Sequence, residues 1–148
     1  MKTVGLYAGS FNPFHVGHAN IVLQAEKVFN KVIIARMINP SKSNVYLTEV
    51  DLGFVKKRPF INHHGLLSNL IIELSEKEDA EITLIRGVRN GFDLQYELNL
   101  CKAVSDLSGH FVPVVFFRCE PKFDHVSSTL IRELWFFDKN AAKDYLPS

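Results

Sequence analysis

Gly9-Ser10-Phe11-Asn12-Pro13-Phe14-His15-Val16-Gly17-His18 is the stretch on which the fold turns. Before it, the apolar run Thr3 to Tyr7 ends at the turn signal Ala8-Gly9-Ser10 and reads as a buried strand. After it, Ile21, Val22, Ala25, Val28 and Phe29 recur at helical spacing, so His18 to Phe29 reads as an amphipathic helix. Lys31 to Met37 (KVIIARM) is β-branched and unalternated, as a strand covered on both faces would be. Residues 3 to 37 therefore read as strand, loop, helix, strand. Joined right-handedly, such a unit builds a parallel sheet.

The pattern returns further along. Glu81 to Ile85 (EITLI) reads as a strand stopping at Arg86-Gly87, and Asp93 to Leu107 as a helix with Leu94, Leu98, Cys101 and Val104 on one stripe. Val112 to Phe117 reads as another buried strand, with Pro113 marking its beginning. Ser127-Ser128-Thr129, followed by Leu130, Ile131 and Leu134, has the look of a helix N-terminus. In the middle, Pro59 to Leu74 reads as a helix striped by Leu66, Leu67, Leu70, Ile71 and Leu74, and Val45 to Lys57 as a loop or hairpin. The expectation is an α/β fold: a Rossmann-like open parallel sheet with helices on both faces, one domain over 1–148. Such sheets place ligands at the carboxyl ends of their strands.

Composition narrows the function. The chain has 148 residues, enough for one core, with 47% apolar and 22% charged residues. A formal charge of +1 argues against a nucleic-acid binder acting by bulk electrostatics. No apolar stretch reaches the ~18 residues of a membrane span. The start, Met1-Lys2-Thr3, runs straight into a strand without an apolar leader, so a cytoplasmic location is expected and no membrane partner. Cys101 and Cys119 have no CxxC spacing and read as small apolar fillers.

A strand-to-helix loop directs backbone N–H groups and the positive end of a helix dipole at one point, which favours an anion. Gly9 suits the tight turn and Gly17 a close backbone approach, while His15 and His18 can offer imidazole N–H groups to one phosphate. The His-x-x-His spacing raises zinc as an alternative, but no third ligand is suggested. A Walker A loop is excluded, because the Gly-Lys-Ser/Thr ending is missing.

The same segment resembles the (T/H)xGH signature of the nucleotidyltransferase superfamily, and Val126-Ser127-Ser128-Thr129-Leu130-Ile131-Arg132 resembles its ISSTxxR signature. Asn39-Pro40-Ser41-Lys42 and the string from Arg86 to Glu97 (RGVRNGFDLQYE) resemble the bacterial phosphopantetheine adenylyltransferase family. That resemblance covers roughly residues 3 to 42 and 80 to 147. It implies adenylyl transfer from ATP to 4′-phosphopantetheine, with Mg²⁺ bridging phosphates and no dedicated protein metal site.

By resemblance, His18 contacts the α-phosphate and Lys42 shares the catalytic role. Ser10, Lys42, Leu67 and Arg86 hold the acceptor. ATP falls to Ser10, Phe11, His15, His18, Gly87, Val88, Arg89 and Glu97, and to the run Phe123, Asp124, His125, Val126, Ser127, Ser128 and Thr129. Three features depart from the pattern. His15 stands where the phosphopantetheine enzymes usually have Thr, Val45 to His64 does not follow the family, and the chain stops where relatives add a helix. An enzyme acting on nicotinamide mononucleotide, a non-catalytic nucleotide-binding domain, and a homo-oligomer therefore stay open as alternatives.

Overall fold

The computed structural model describes residues 2–38 and 52–147. In chain order the elements are β1 (Val4–Gly9), α1 (Val16–Ala25), β2 (Lys31–Ile38), α2 (Leu52–Lys56), β3 (Phe60–His64) and α3 (Leu67–Glu78). Then come β4 (Ile82–Val88), α4 (Gly91–Ser108), β5 (Val114–Arg118), a single 3-10 turn at Pro121–Phe123, α5 (Ser128–Phe137) and α6 (Lys139–Lys143). The strands form one five-stranded sheet, ordered β3-β2-β1-β4-β5, with every pairing parallel.

This order reverses direction between β1 and β4, and their carboxyl ends diverge to leave a crevice there. Alternation along β1 supplies both cores. Val4, Leu6 and Ala8 pack with Leu70, Ile71 and Leu74 of α3 and Cys101 and Val104 of α4. Tyr7 packs on the opposite side with Ile21, Val22 and Ala25 of α1 and Phe54 and Val55 of α2. A third cluster, Val126, Ile131 and Ala142, joins α5 and α6 to Val16 at the start of α1. Helices thus cover both faces, and the last two helices brace the first.

Three expectations need correction. Residues 60–64 form strand β3, paired to β2 from Ile34↔Phe60 to Ile38↔His64, and only from Leu67 does the expected helix run. Phe60, Ile61, Asn62, His63 and His64 form a short, half-exposed edge strand, so they carry no core-strand pattern, and the leucine stripe of α3 extends its helical period back over them. Of the segment read as a loop or hairpin, Leu52–Lys56 is a short helix; Asn39 to Asp51 lie outside the described residues. β4 also continues past Ile85 to Val88, paired with β5 throughout. Both cysteines are buried and unpaired, as fillers would be.

Candidate active site

A cavity of about 370 Å³ opens at the carboxyl ends of β1 and β4. Ser10, Phe11, His15, His18, Arg86, Gly87, Arg89, Glu97, Phe123, Val126, Ser127 and Ser128 line it, so residues more than a hundred positions apart meet there. Val88, Asp124, His125, Thr129 and Leu67 do not line the cavity. Asp124 borders it through its carbonyl, which accepts from the Arg89 guanidinium at 3.2 Å. His125 stacks edge-on against Tyr145, and Leu67 packs on the core under α3. Lys42 lies outside the described residues, as do Asn39, Pro40 and Ser41.

The two histidines form a reciprocal cap. The Gly17 N–H donates to His15 Nδ1 at 3.1 Å, and the His15 N–H donates to His18 Nδ1 at 3.1 Å. Their rings stack at 3.6 Å. Because Nδ1 accepts in both, the proton of each neutral ring sits on Nε2, giving each imidazole one outward N–H donor. Burial, with the nearby Arg89 charge, lowers the His15 pKa to about 4. Burial, with His15, Arg36, Arg86 and Arg89 around it, holds His18 well below 6.5. At pH 7 both rings are neutral donors rather than bases in need of a proton. Gly17 is required by this stack, since a Cβ there would stand 2.9 Å from the His15 ring.

The convergence of α1 backbone N–H groups expected from the sequence is not what the helix start offers. The Val16 N–H donates to the Tyr145 carbonyl at 2.9 Å, and the Gly17 N–H is taken by His15. Imidazole edges stand in for the backbone there. At the start of α5 the reverse holds. Ser127 Oγ caps the Leu130 N–H at 3.1 Å, while the N–H groups of Ser128 and Thr129 find no acceptor among the described residues.

Arg86 projects from β4 and is anchored by three hydrogen bonds to two partners. Its Nε and one Nη donate to the Glu97 carboxylate at 2.6 and 2.9 Å, and the other Nη donates to the Ala8 carbonyl at 2.8 Å. Of the five N–H donors of a guanidinium, two are left for a ligand. Arg89 is more exposed and leans on Asp93 at 3.3 Å. The β1–α1 loop is tied down from two directions. Arg132 donates to the Asn12 carbonyl at 2.6 Å and Ser128 Oγ to the Pro13 carbonyl at 3.0 Å, both from α5. The Arg36 guanidinium donates twice to the Phe11 carbonyl, at 3.0 and 2.8 Å, from β2.

The cytidylyltransferase-like family model matches residues 6–134, which include every residue that lines this cavity. The chain belongs to that family. Within it, the chain is 33% identical to a phosphopantetheine adenylyltransferase of Porphyromonas gingivalis, over 99% of this chain and 95% of the relative. It is 34% identical to the enzyme of that name from Kocuria rhizophila, over 85% and 81%, and 31% identical to that from Streptococcus gordonii, over 97% and 88%. The chain therefore belongs with the phosphopantetheine adenylyltransferases. Its fold is shared with a crystal structure from Vibrio parahaemolyticus, described as a candidate nicotinate-nucleotide adenylyltransferase, at a TM-score of 0.62 and 16% identity over 100% of this chain and 88% of that one.

Four features of this cytidylyltransferase-like site escaped the sequence reading. Tyr7, Asp93 and Cys119 line the cavity. Tyr7 and Cys119 read as ordinary core residues and carry no signal of their own, whereas Asp93 stands in the string from Arg86 to Glu97 that carries the family resemblance but is given no role in the site by it. Arg36 did carry one: it is the single charge inside the otherwise apolar stretch Val32 to Ile38.

Proposed function

We propose that this chain transfers the adenylyl group of ATP to 4′-phosphopantetheine, releasing pyrophosphate and dephospho-coenzyme A, as a cytoplasmic step of coenzyme A biosynthesis. The observation that carries this reading is the meeting of two helix starts on one cavity: α1 through the Nε2–H groups of His15 and His18, and α5 through Ser127 and Ser128. The names of the relatives supply the acceptor.

The acceptor is a phosphate monoester with a second pKa near 6, hence largely a dianion at pH 7. One of its oxygens forms a bond to the α-phosphorus of ATP as the bond from that phosphorus to the bridging oxygen breaks, and the electron pair leaves on pyrophosphate. No proton is moved, so no general base is required. What the site must supply is alignment and cancellation of charge. The His18 Nε2–H serves the α-phosphate oxygens, Ser10 and the two remaining N–H donors of Arg86 serve the acceptor phosphate together with Lys42, and Arg89 with the start of α5 serves the leaving group.

Mg²⁺ would enter with ATP and offset the charge of its phosphates, which would supply its ligands. Among the described residues no cluster of three His, Cys, Asp or Glu side chains offers a metal site, and the cavity's carboxylates, Glu97 and Asp93, are each bonded to an arginine. These residues do not fit a protein-held ion. Among the described residues no helix is long and apolar enough to cross a membrane.

The test is pyrophosphate release from ATP and Mg²⁺ with either 4′-phosphopantetheine or nicotinamide mononucleotide supplied. Release with phosphopantetheine only, abolished by His18→Ala, is the expected result. Release with the nicotinamide acceptor only would overturn the substrate and keep the chemistry. No release with either, alongside tight ATP binding, would leave a nucleotide-binding domain without turnover.

A further inference from the structure

Arg36 lies in β2 opposite Gly9 of β1, and it is only 3% exposed. Every neighbour from Val32 to Ala35 is a buried aliphatic, and a hydrocarbon side chain would complete this core at no electrostatic cost. Burying a guanidinium costs several kcal/mol unless its donors are satisfied in good geometry. Here Nε and one Nη converge on a single acceptor, the Phe11 carbonyl, at 3.0 and 2.8 Å, while the cation sits 5.2 Å from the Phe60 ring centroid. Arg36 does not line the cavity, and its bonds to the Phe11 carbonyl join it to a residue that does.

Phe11 is an unusual place for such a bond. Its φ is +42°, a left-handed conformation that a bulky aromatic adopts at a cost of order 1 kcal/mol or more. That conformation brings its ring edge-on to His18 at 4.8 Å, and the same ring packs on Tyr7 at 5.0 Å and Phe14 at 5.1 Å. Phe14 meets His18 from another side at 5.2 Å. The imidazole is thus held by the His15 N–H at Nδ1, by the His15 ring above, and by a phenylalanine floor set by the Phe11 backbone.

We infer that Arg36 is a positioning residue for adenylyl transfer: from beneath the β1–α1 loop it locks the Phe11 peptide, and through the Phe11 ring it aims the His18 Nε2–H into the cavity. The inference rests on the adenylyl-transfer reading of that cavity. Arg132 to Asn12 and Ser128 to Pro13 also clamp the loop, from α5, so losing Arg36 releases Phe11 without freeing the whole loop. Charge adds a second link. The groups facing His18 are His15 on its own helix, Tyr7 on β1, Arg36 on β2, Arg86 at the end of β4 and Arg89 just beyond it. Each cation among them disfavours a protonated His18, which could no longer accept the His15 N–H.

Arg36→Met and Arg36→Lys separate these contributions in the full chain. In Arg36→Met, kcat should fall on the order of 10²-fold with the KM for ATP within about threefold, the pattern of a misaimed group rather than a lost ligand. The NMR titration midpoint of the His18 ring should rise relative to the parent. Arg36→Lys keeps the charge and loses the fork, so kcat should fall only about tenfold with the midpoint unmoved. Wild-type kcat in the folded Met variant would overturn the inference, as would a Lys variant matching Met in both kcat and midpoint. Should Met fail to fold by circular dichroism, Lys decides alone: a wild-type kcat there means the fork has no role. The midpoints are read without substrate, so an inactive parent enzyme would count against the acceptor reading while the titrations still judge Arg36.

Discussion

The starts of α1 and α5 face the same cavity with opposite equipment. The first turn of α1 spends its backbone donors internally, on Tyr145 and His15, and presents two buried, stacked imidazoles in their place. The first turn of α5 spends only a serine hydroxyl on capping and leaves the Ser128 and Thr129 N–H groups open among the described residues. Buried neutral donors in a rigid stack suit charge that develops at one fixed atom, because they need no reorganisation when it appears. Open backbone donors at a helix start suit a diffuse polyanion whose oxygens are interchangeable. On this reading α1 faces the reacting phosphorus and α5 the pyrophosphate. The difference shows that helix N-termini facing one cavity can offer different donors according to what caps them.

The largest expected effect breaks the α1 side outright. His18→Ala removes one preorganised donor and should lower kcat by on the order of 10² or more, with ATP binding measured by calorimetry changed little. Next comes acid. The His15 pKa is lowered to about 4 and His18 lies well below 6.5, so the unfolded chain binds protons that the folded chain does not. Stability is therefore full above pH 6.5 and is lost as pH falls from 6.5 towards 4, by up to about 3 kcal/mol for His15 alone. Urea melts from pH 8 to pH 4 should show that slope, and His15→Asn should flatten it.

Gly17→Ala is a milder break of the same stack. Its Cβ would stand 2.9 Å from the His15 ring, so the ring must turn aside, at about 1–3 kcal/mol in thermal or urea unfolding. The smallest change is on the other helix. Ser127→Ala should cost about 1 kcal/mol as a lost N-cap and raise the KM for ATP several-fold while sparing kcat. If Ser127→Ala lowered kcat as far as His18→Ala does, the division of labour between the two helices would be wrong.

The site was more legible than the middle of the fold. Gly9 to His18 and Ser127 to Thr129 announce themselves because glycine, histidine and capping hydroxyls are rare between apolar runs, and both segments border the cavity. β3 was hidden for the opposite reason: an edge strand with three polar residues in five has no period to detect, and it abuts a helix whose leucines do. The sequence marks Arg86 and Glu97 as separate ligands, whereas the structure joins them in a two-pronged bond, a relation that eleven positions of sequence spacing does not encode. The reach of β4 beyond Ile85 is what brings Arg86 to the crevice, and pairing with β5, not local propensity, extends it.

The sequence by itself determined the class of fold and the two helix starts that meet at the cavity, because periodicity and capping are local and act within a few residues. Only the tertiary structure decided which donors remain available, since that depends on acceptors brought from afar: the Tyr145 carbonyl at α1, Glu97 at Arg86, and the Phe11, Asn12 and Pro13 carbonyls at Arg36, Arg132 and Ser128. A hydrogen-bond donor is a property of a residue. Whether it is spent or spare is a property of the fold.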